Sequence, residues 1–124
     1  MPKLSKETAE AQDFGLAVDC KGELDGYSVS FVTIRETHDL AEVLKGLPDD
    51  RCQCPHWGYV FKGRLTWRFA DREEVYEAGD AFYVPPGHVP EAAGGSEFVQ
   101  FSPSDELQAT ETAIAANMQR LQAG

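Results

Sequence analysis

The sequence predicts an all-β domain, a sandwich or barrel of short strands, followed by one C-terminal amphipathic helix. Three observations carry this reading. Short runs rich in valine and aromatic residues succeed one another from Phe14 to Phe101. Glycine, proline and acidic turn residues separate these runs at close spacing. After Pro103 the apolar positions change to a helical period.

The chain has 124 residues, the size of one domain and enough to bury a core without staples. Its hydrophobic share of 42% and charged share of 26% are those of an ordinary globular protein. The formal net charge of −10 argues against nucleic acid or an anionic membrane as partner, because both require basic patches. The cysteines, Cys20, Cys52 and Cys54, are odd in number, and the polar N-terminus lacks the apolar run of a signal peptide. No segment approaches the roughly 18 apolar residues of a membrane span. A cytoplasmic protein is expected. The predicted plan is a flexible arm over 1–12, a barrel over 13–103 and a helix over 104–124 that packs on the barrel or on a partner.

Phe14–Cys20 reads as a first short strand, and Tyr27–Arg35 as a better one with Gly22 and Gly26 in the flanking turns. In His38–Leu47, Leu40, Val43, Leu44 and Leu47 recur at helical spacing, which predicts a turn or two of helix. Further strands are expected at Trp57–Lys62, Leu65–Phe69, Glu74–Glu77, Ala81–Val84 and Glu97–Phe101. Turns at Gly63-Arg64, Asp71–Glu73, Ala78–Asp80, Pro85–Gly87 and Gly94-Gly95 separate them. Ser102 and Pro103 suit the N-cap and first position of the final helix, with Asp105 and Glu106 in its first turn. Leu107, Ile114, Met118 and Leu121 then form a narrow apolar stripe.

Two stretches carry the chemistry. Arg51–Gly63 (RCQCPHWGYVFKG) sets Cys52, Cys54 and His56 at alternate positions. Gly79–Glu91 (GDAFYVPPGHVPE) carries His88 behind a proline pair. Over Asp50–Pro103 the chain resembles the cupin superfamily, small jelly-roll β-barrels. Gly79, the intervening DAFYV, Pro85, Pro86 and Gly87 match the start of that family's second motif. Gly58–Gly63 (GYVFKG) matches the aromatic strand and tight turn that close its first motif. The resemblance implies a cupin-like jelly-roll β-barrel with a metal site made of histidines and a glutamate. It also implies family activities that include dioxygen chemistry and the isomerisation of sugars or keto acids.

The ligand positions depart from the family pattern. Counted back from Gly63 without gaps, His56 stands at the glutamate position, Cys52 at the second histidine and Asp50 at the first. With a gap of two, Cys52 and Cys54 replace the histidine pair instead. In the second motif Pro90 occupies the histidine position, and His88 lies two residues earlier.

Residues two apart on a strand share a face, so Cys52, Cys54 and His56 would point together if the strand is regular across Pro55. With His88 they would form a set of thiolates and imidazoles suited to zinc first and iron second. A disulfide between Cys52 and Cys54 is not expected, because alternate residues of one strand are poorly placed for it. Glu91 is read as solvated, His38 as a surface residue and Cys20 as packing. Trp57, Tyr59, Trp67, Phe69, Phe82 and Tyr83 are the aromatics near the motifs, core for most and pocket lining for some.

The functional expectation is a metal-binding domain that binds or transforms a small organic molecule; no catalytic residue is assigned. The alternative is a non-catalytic domain that holds a ligand or only dimerises, with the cysteines as packing. A redox sensor built on Cys52 and Cys54 is a third reading. A homodimer is expected from open edge strands and from the apolar stripe of the helix.

Overall fold

A computed structural model describes residues 3–123. Its strands, all in antiparallel pairs, make two sheets that pack face to face. The six-stranded sheet has the order β1 (Glu10–Asp13), β2 (Ala17–Leu24), β3 (Tyr27–Ile34), β10 (Glu97–Pro103), β5 (His56–Lys62) and β8 (Ala81–Val84). The four-stranded sheet has the order β4 (His38–Asp39), β9 (Val89–Ala92), β6 (Arg64–Arg68) and β7 (Glu73–Glu77). One helix, α1 (Ser104–Ala123), follows the last strand. The sheets do not close into a continuous barrel, but their arrangement is that of a jelly roll.

Local chemistry explains the connections. Asp25 and Gly26 both have positive φ, 47° and 81°, and join β2 to β3 as a two-residue turn. Gly63 turns the chain from one sheet into the other at φ 79°, and a Cβ there would lie 2.7 Å from the Cα of Ser96. Only glycine fits that close approach.

Two apolar clusters fill the interior. Ile34, Val60, Leu65, Trp67, Phe82, Val84 and Phe98 lie between the sheets. Leu44, Cys52, Cys54, Val89 and Leu107 form a second cluster beside α1.

Several elements differ from expectation. The first strand begins at Ala17 rather than Phe14, and residues 10–13, mostly assigned to the arm, form the edge strand β1. The stretch His38–Leu47 keeps its predicted turn of helix, in 3-10 rather than α form. It holds the short strand β4, paired with β9, and a 3-10 turn over Ala41–Leu44. The leucine spacing there serves to bury Leu44 with Leu40 and Leu47 around it. Strand β9 follows directly after His88 and had no clear alternating pattern.

Ser102 and Pro103 do not cap the helix, because β10 continues through them. Ser104 opens α1 instead, donating its N–H to the Gly26 carbonyl at 2.9 Å. The packed helix face is Leu107, Thr110, Ile114 and Asn117, whereas Leu121 is 47% exposed. Asn117 belongs on that face because its Nδ2 donates to the carbonyls of Val43 and Lys45, each at 2.8 Å.

Candidate metal centre

Backbone pairing brings the two chemical stretches together. Cys52 forms an isolated antiparallel bridge with His88, its N–H donating to the His88 carbonyl at 2.9 Å. The Cys52 carbonyl accepts from the N–H groups of Gly87 at 2.8 Å and His88 at 3.2 Å. The proline-glycine turn before His88 therefore docks on the irregular segment before β5. His56 is the first residue of β5 and faces inward opposite Val84.

Donor atoms of Cys52, His56 and His88 all lie within 4.8 Å of one another. All three residues are buried, at 3%, 4% and 0% exposure. The Cys52 Sγ lies 3.7 Å from His56 Nε2. Two ligands of one tetrahedral zinc, a thiolate and an imidazole, lie roughly 3.6 Å apart.

Each imidazole is held through its other nitrogen. His88 Nδ1–H donates to the Pro85 carbonyl at 2.8 Å, which leaves Nε2 as a lone pair. That Nε2 is buried and has no hydrogen-bond partner. His56 Nδ1 pairs with Ser102 Oγ at 2.7 Å, which presents its Nε2 toward Cys52. Metal-binding histidines are oriented by such outer hydrogen bonds. The rings of His56 and His88 lie 4.8 Å apart, and Trp67 packs edge-on against His88 at 5.0 Å.

Electrostatics favour neutral imidazoles. Burial, and then the nearby His88, pushes His56 down to about 3. Burial also pushes His88 down to about 4, against the Pro85 carbonyl, which favours the protonated ring. Neutral imidazole is the metal-binding form. Burial raises the Cys52 thiol, partly offset by the Thr110 hydroxyl 3.3 Å from its sulfur. An ion would reverse that cost by stabilising the thiolate.

Cys54 stands apart from this group. Its Sγ lies 3.4 Å from the Pro55 carbonyl and 4.0 Å from the Pro103 carbonyl. Burial, then Cys52 and Glu106, push its thiol up to about 12. The segment is not a regular strand across Pro55, so the three alternate residues do not share one face. Convergence of Cys52 and His56 without Cys54 matches the gapless reading of the first motif. Asp50 is turned away and accepts the Gly46 N–H at 2.9 Å.

The remaining candidates fall elsewhere. Glu91 is exposed and pairs with Arg68 at 2.9 Å. His38 is half-buried, with Nδ1 bonded to the Glu36 carbonyl at 2.7 Å. All three cysteines, Cys20 among them, are buried free thiols. Trp67, Phe82 and the half-buried Phe69 line the interior, whereas Trp57, Tyr59 and Tyr83 face outward. Sequence reasoning missed Ser102 and Thr110 at the site. The spacing of 107, 110, 114 and 117 contained the signal for Thr110, hidden because the residue is polar.

No family model matches the sequence, and no curated protein matches it. Solved structures do match in fold. A Rhizobium leguminosarum protein of unknown function superposes with a TM-score of 0.60 at 18% identity, covering 82% of this chain and 95% of its own. The polyketide cyclase RemF from Streptomyces resistomycificus gives 0.60 at 15% identity, covering 84% and 80%. An RmlC-like cupin from Shewanella frigidimarina gives 0.54 at 21% identity, covering 81% and 88%. The chain has the cupin fold, and its interior holds a Cys/His/His cluster.

Proposed function

We propose that this cupin-fold protein binds a divalent transition metal through Cys52, His56 and His88, and uses it to bind or transform a small organic molecule. The observation that carries the reading is the buried, unpartnered Nε2 of His88, aimed into a cluster that already holds a thiol and a second imidazole. A buried polar atom without a partner is costly, and a metal ion would satisfy it. The donor set of one sulfur and two nitrogens fits zinc first and iron second. Cys54 is not part of this set. Three protein ligands leave a coordination position, at which a bound ion supplies Lewis acidity. The residues' own part is to hold the ion: Pro85 and Ser102 orient the imidazoles, Thr110 contacts the sulfur, and Trp67 excludes water. The shared fold with a polyketide cyclase supports small organic molecules as the ligand class.

A second, non-catalytic reading rests on the near-complete burial of all three ligands. There the ion would only fasten the Pro85–His88 turn to the segment before β5. Metal content of protein purified without an affinity tag tests both readings. About one equivalent of zinc or iron is expected. Cobalt-loaded protein should show thiolate charge transfer that Cys52→Ser abolishes and Cys54→Ser retains. Absence of bound metal, with stability unchanged by chelator, would reject both readings. A cobalt spectrum that responds to azide favours the open site, and one that ignores azide favours the closed one.

A further inference from the structure

Trp67 carries a polar atom that holding an ion does not use. The residue lies on β6, where Leu65 and Trp67 face inward, and it is 3% exposed. Its side chain reaches across the interior to the larger sheet. The ring lies 5.0 Å from that of His88, 5.8 Å from that of His56 and 6.1 Å from that of Phe82. Its Nε1–H is buried and has no hydrogen-bond partner. A buried indole N–H ordinarily has one, because leaving the bond unmade is destabilising.

A complementary atom lies on the facing sheet. Gln100 on β10 stands between Ser30 and Gly58 in register, and its Oε1 is also buried without a partner. Phe82 pairs with Gly58 from the other side. Gly58 is what admits the Phe82 ring, since a Cβ there would lie 2.5 Å from it. His56, two residues before Gly58 on β5, shares its face. The interior beside the Cys52, His56 and His88 cluster therefore leaves an indole donor and two acceptors, His88 Nε2 and Gln100 Oε1, without partners.

We infer that Trp67 and Gln100 select the molecule that the metal site takes, and that this molecule is a small hydroxy acid. The inference rests on the metal reading given above and names the substrate class of that site. The ion would use the lone pair of His88, which leaves the indole N–H and the Gln100 amide to be satisfied. An anionic oxygen suits a place served by both a cation and an N–H donor, and a carboxylate supplies it. A hydroxyl suits Gln100, since it can donate and accept. One small molecule carrying both groups would satisfy both residues. The remaining lining is apolar, with Val60, Leu65, Phe82 and Val84 in the same cluster as Trp67. Few polar groups in such a lining fix the orientation of a ligand. A site built around a hydroxyl also rejects the analogue that lacks it, because its own buried polar group is then left unpaired.

Nuclear magnetic resonance of the indole N–H groups in the zinc-loaded full chain tests the assignment, with glycolate and acetate as probes. Trp57 and Trp67 are the two tryptophans, and Trp57→Phe tells their resonances apart. Glycolate is expected to move the Trp67 resonance and to leave that of Trp57, which is 41% exposed, in place. Glycolate should bind about tenfold more tightly than acetate. Gln100→Leu should erase that preference while zinc is retained, and Trp67→Phe should weaken both acids about tenfold. Where Trp67→Phe does not fold, the wild-type resonance decides. Failure to take up zinc would reject the metal reading and this inference together. Zinc uptake with a Trp67 resonance that neither acid moves would overturn this inference alone. Equal binding of the two acids would do the same, as would a Trp67 N–H held by a buried water that glycolate does not displace.

Discussion

Residue-scale effects are clearest where a polar atom is buried without a partner. Asp19 faces inward on β2, with Oδ1 unpartnered and Oδ2 3.5 Å from Ser30 Oγ. Burial raises its pKa above the usual aspartate value, against the opposing pull of Lys21. The ionised form is thus the less stable one in the fold. Stability from this group is greatest at acid pH and falls as pH rises from the unfolded value through the folded one. Asp19→Asn is expected to raise the neutral-pH melting temperature by about 2–5 °C, a gain that disappears below the aspartate range. Melting curves across pH would check this, and an unchanged or lower value at neutral pH would refute it. At the proposed metal site, His88→Ala should abolish metal retention and Thr110→Val should weaken it, both read by metal content after dialysis. Cys52, His56 and His88 were legible as candidates because residue type alone marks metal chemistry. The separation of Cys52 from Cys54 was not, since it depends on how Pro55 breaks the strand.

At the scale of elements, the strands were legible where side chains alternate, as in Leu65–Arg68, and where turns carry glycine. In His38–Leu47 the turn of helix was legible but the short strand β4 was not, because a leucine every three or four residues suits a 3-10 turn flanked by a strand as well as an α-helix. The helix cap was misassigned because Ser102 satisfies an imidazole rather than a helix N–H. Asn117 is the residue that couples α1 to the 3-10 turn, through two carbonyls that end that turn. Asn117→Ala leaves both carbonyls without their side-chain donor, at a cost of about 1–3 kcal/mol. Urea unfolding should show that loss. Amide exchange should localise it to residues 41–47, and an unchanged midpoint would assign the coupling to apolar packing alone.

For the whole molecule, net charge and apolar burial act in opposite directions. The chain carries −10, so folding gathers like charges into one compact body. Salt screens such repulsion over a Debye length of about 10 Å at 0.1 M. The melting temperature should therefore rise when sodium chloride is raised from low to physiological strength. A fall with salt would show that ion pairs such as Arg68–Glu91 outweigh the repulsion. The jelly roll itself was legible from strand count, turn spacing and the two motif remnants. The outward setting of Trp57, Tyr59 and Tyr83 was not, because alternation identifies two faces of a strand without saying which one meets the core. The position of β10 adds a kinetic consequence. Val99 pairs with Phe31 on one side and Tyr59 on the other, so a late strand occupies the middle of the larger sheet. The early hairpin β2–β3 can form locally, but it must wait for nearly the entire chain before its inner neighbour arrives. Such long-range closure slows folding and leaves the hairpin's open edge exposed during synthesis.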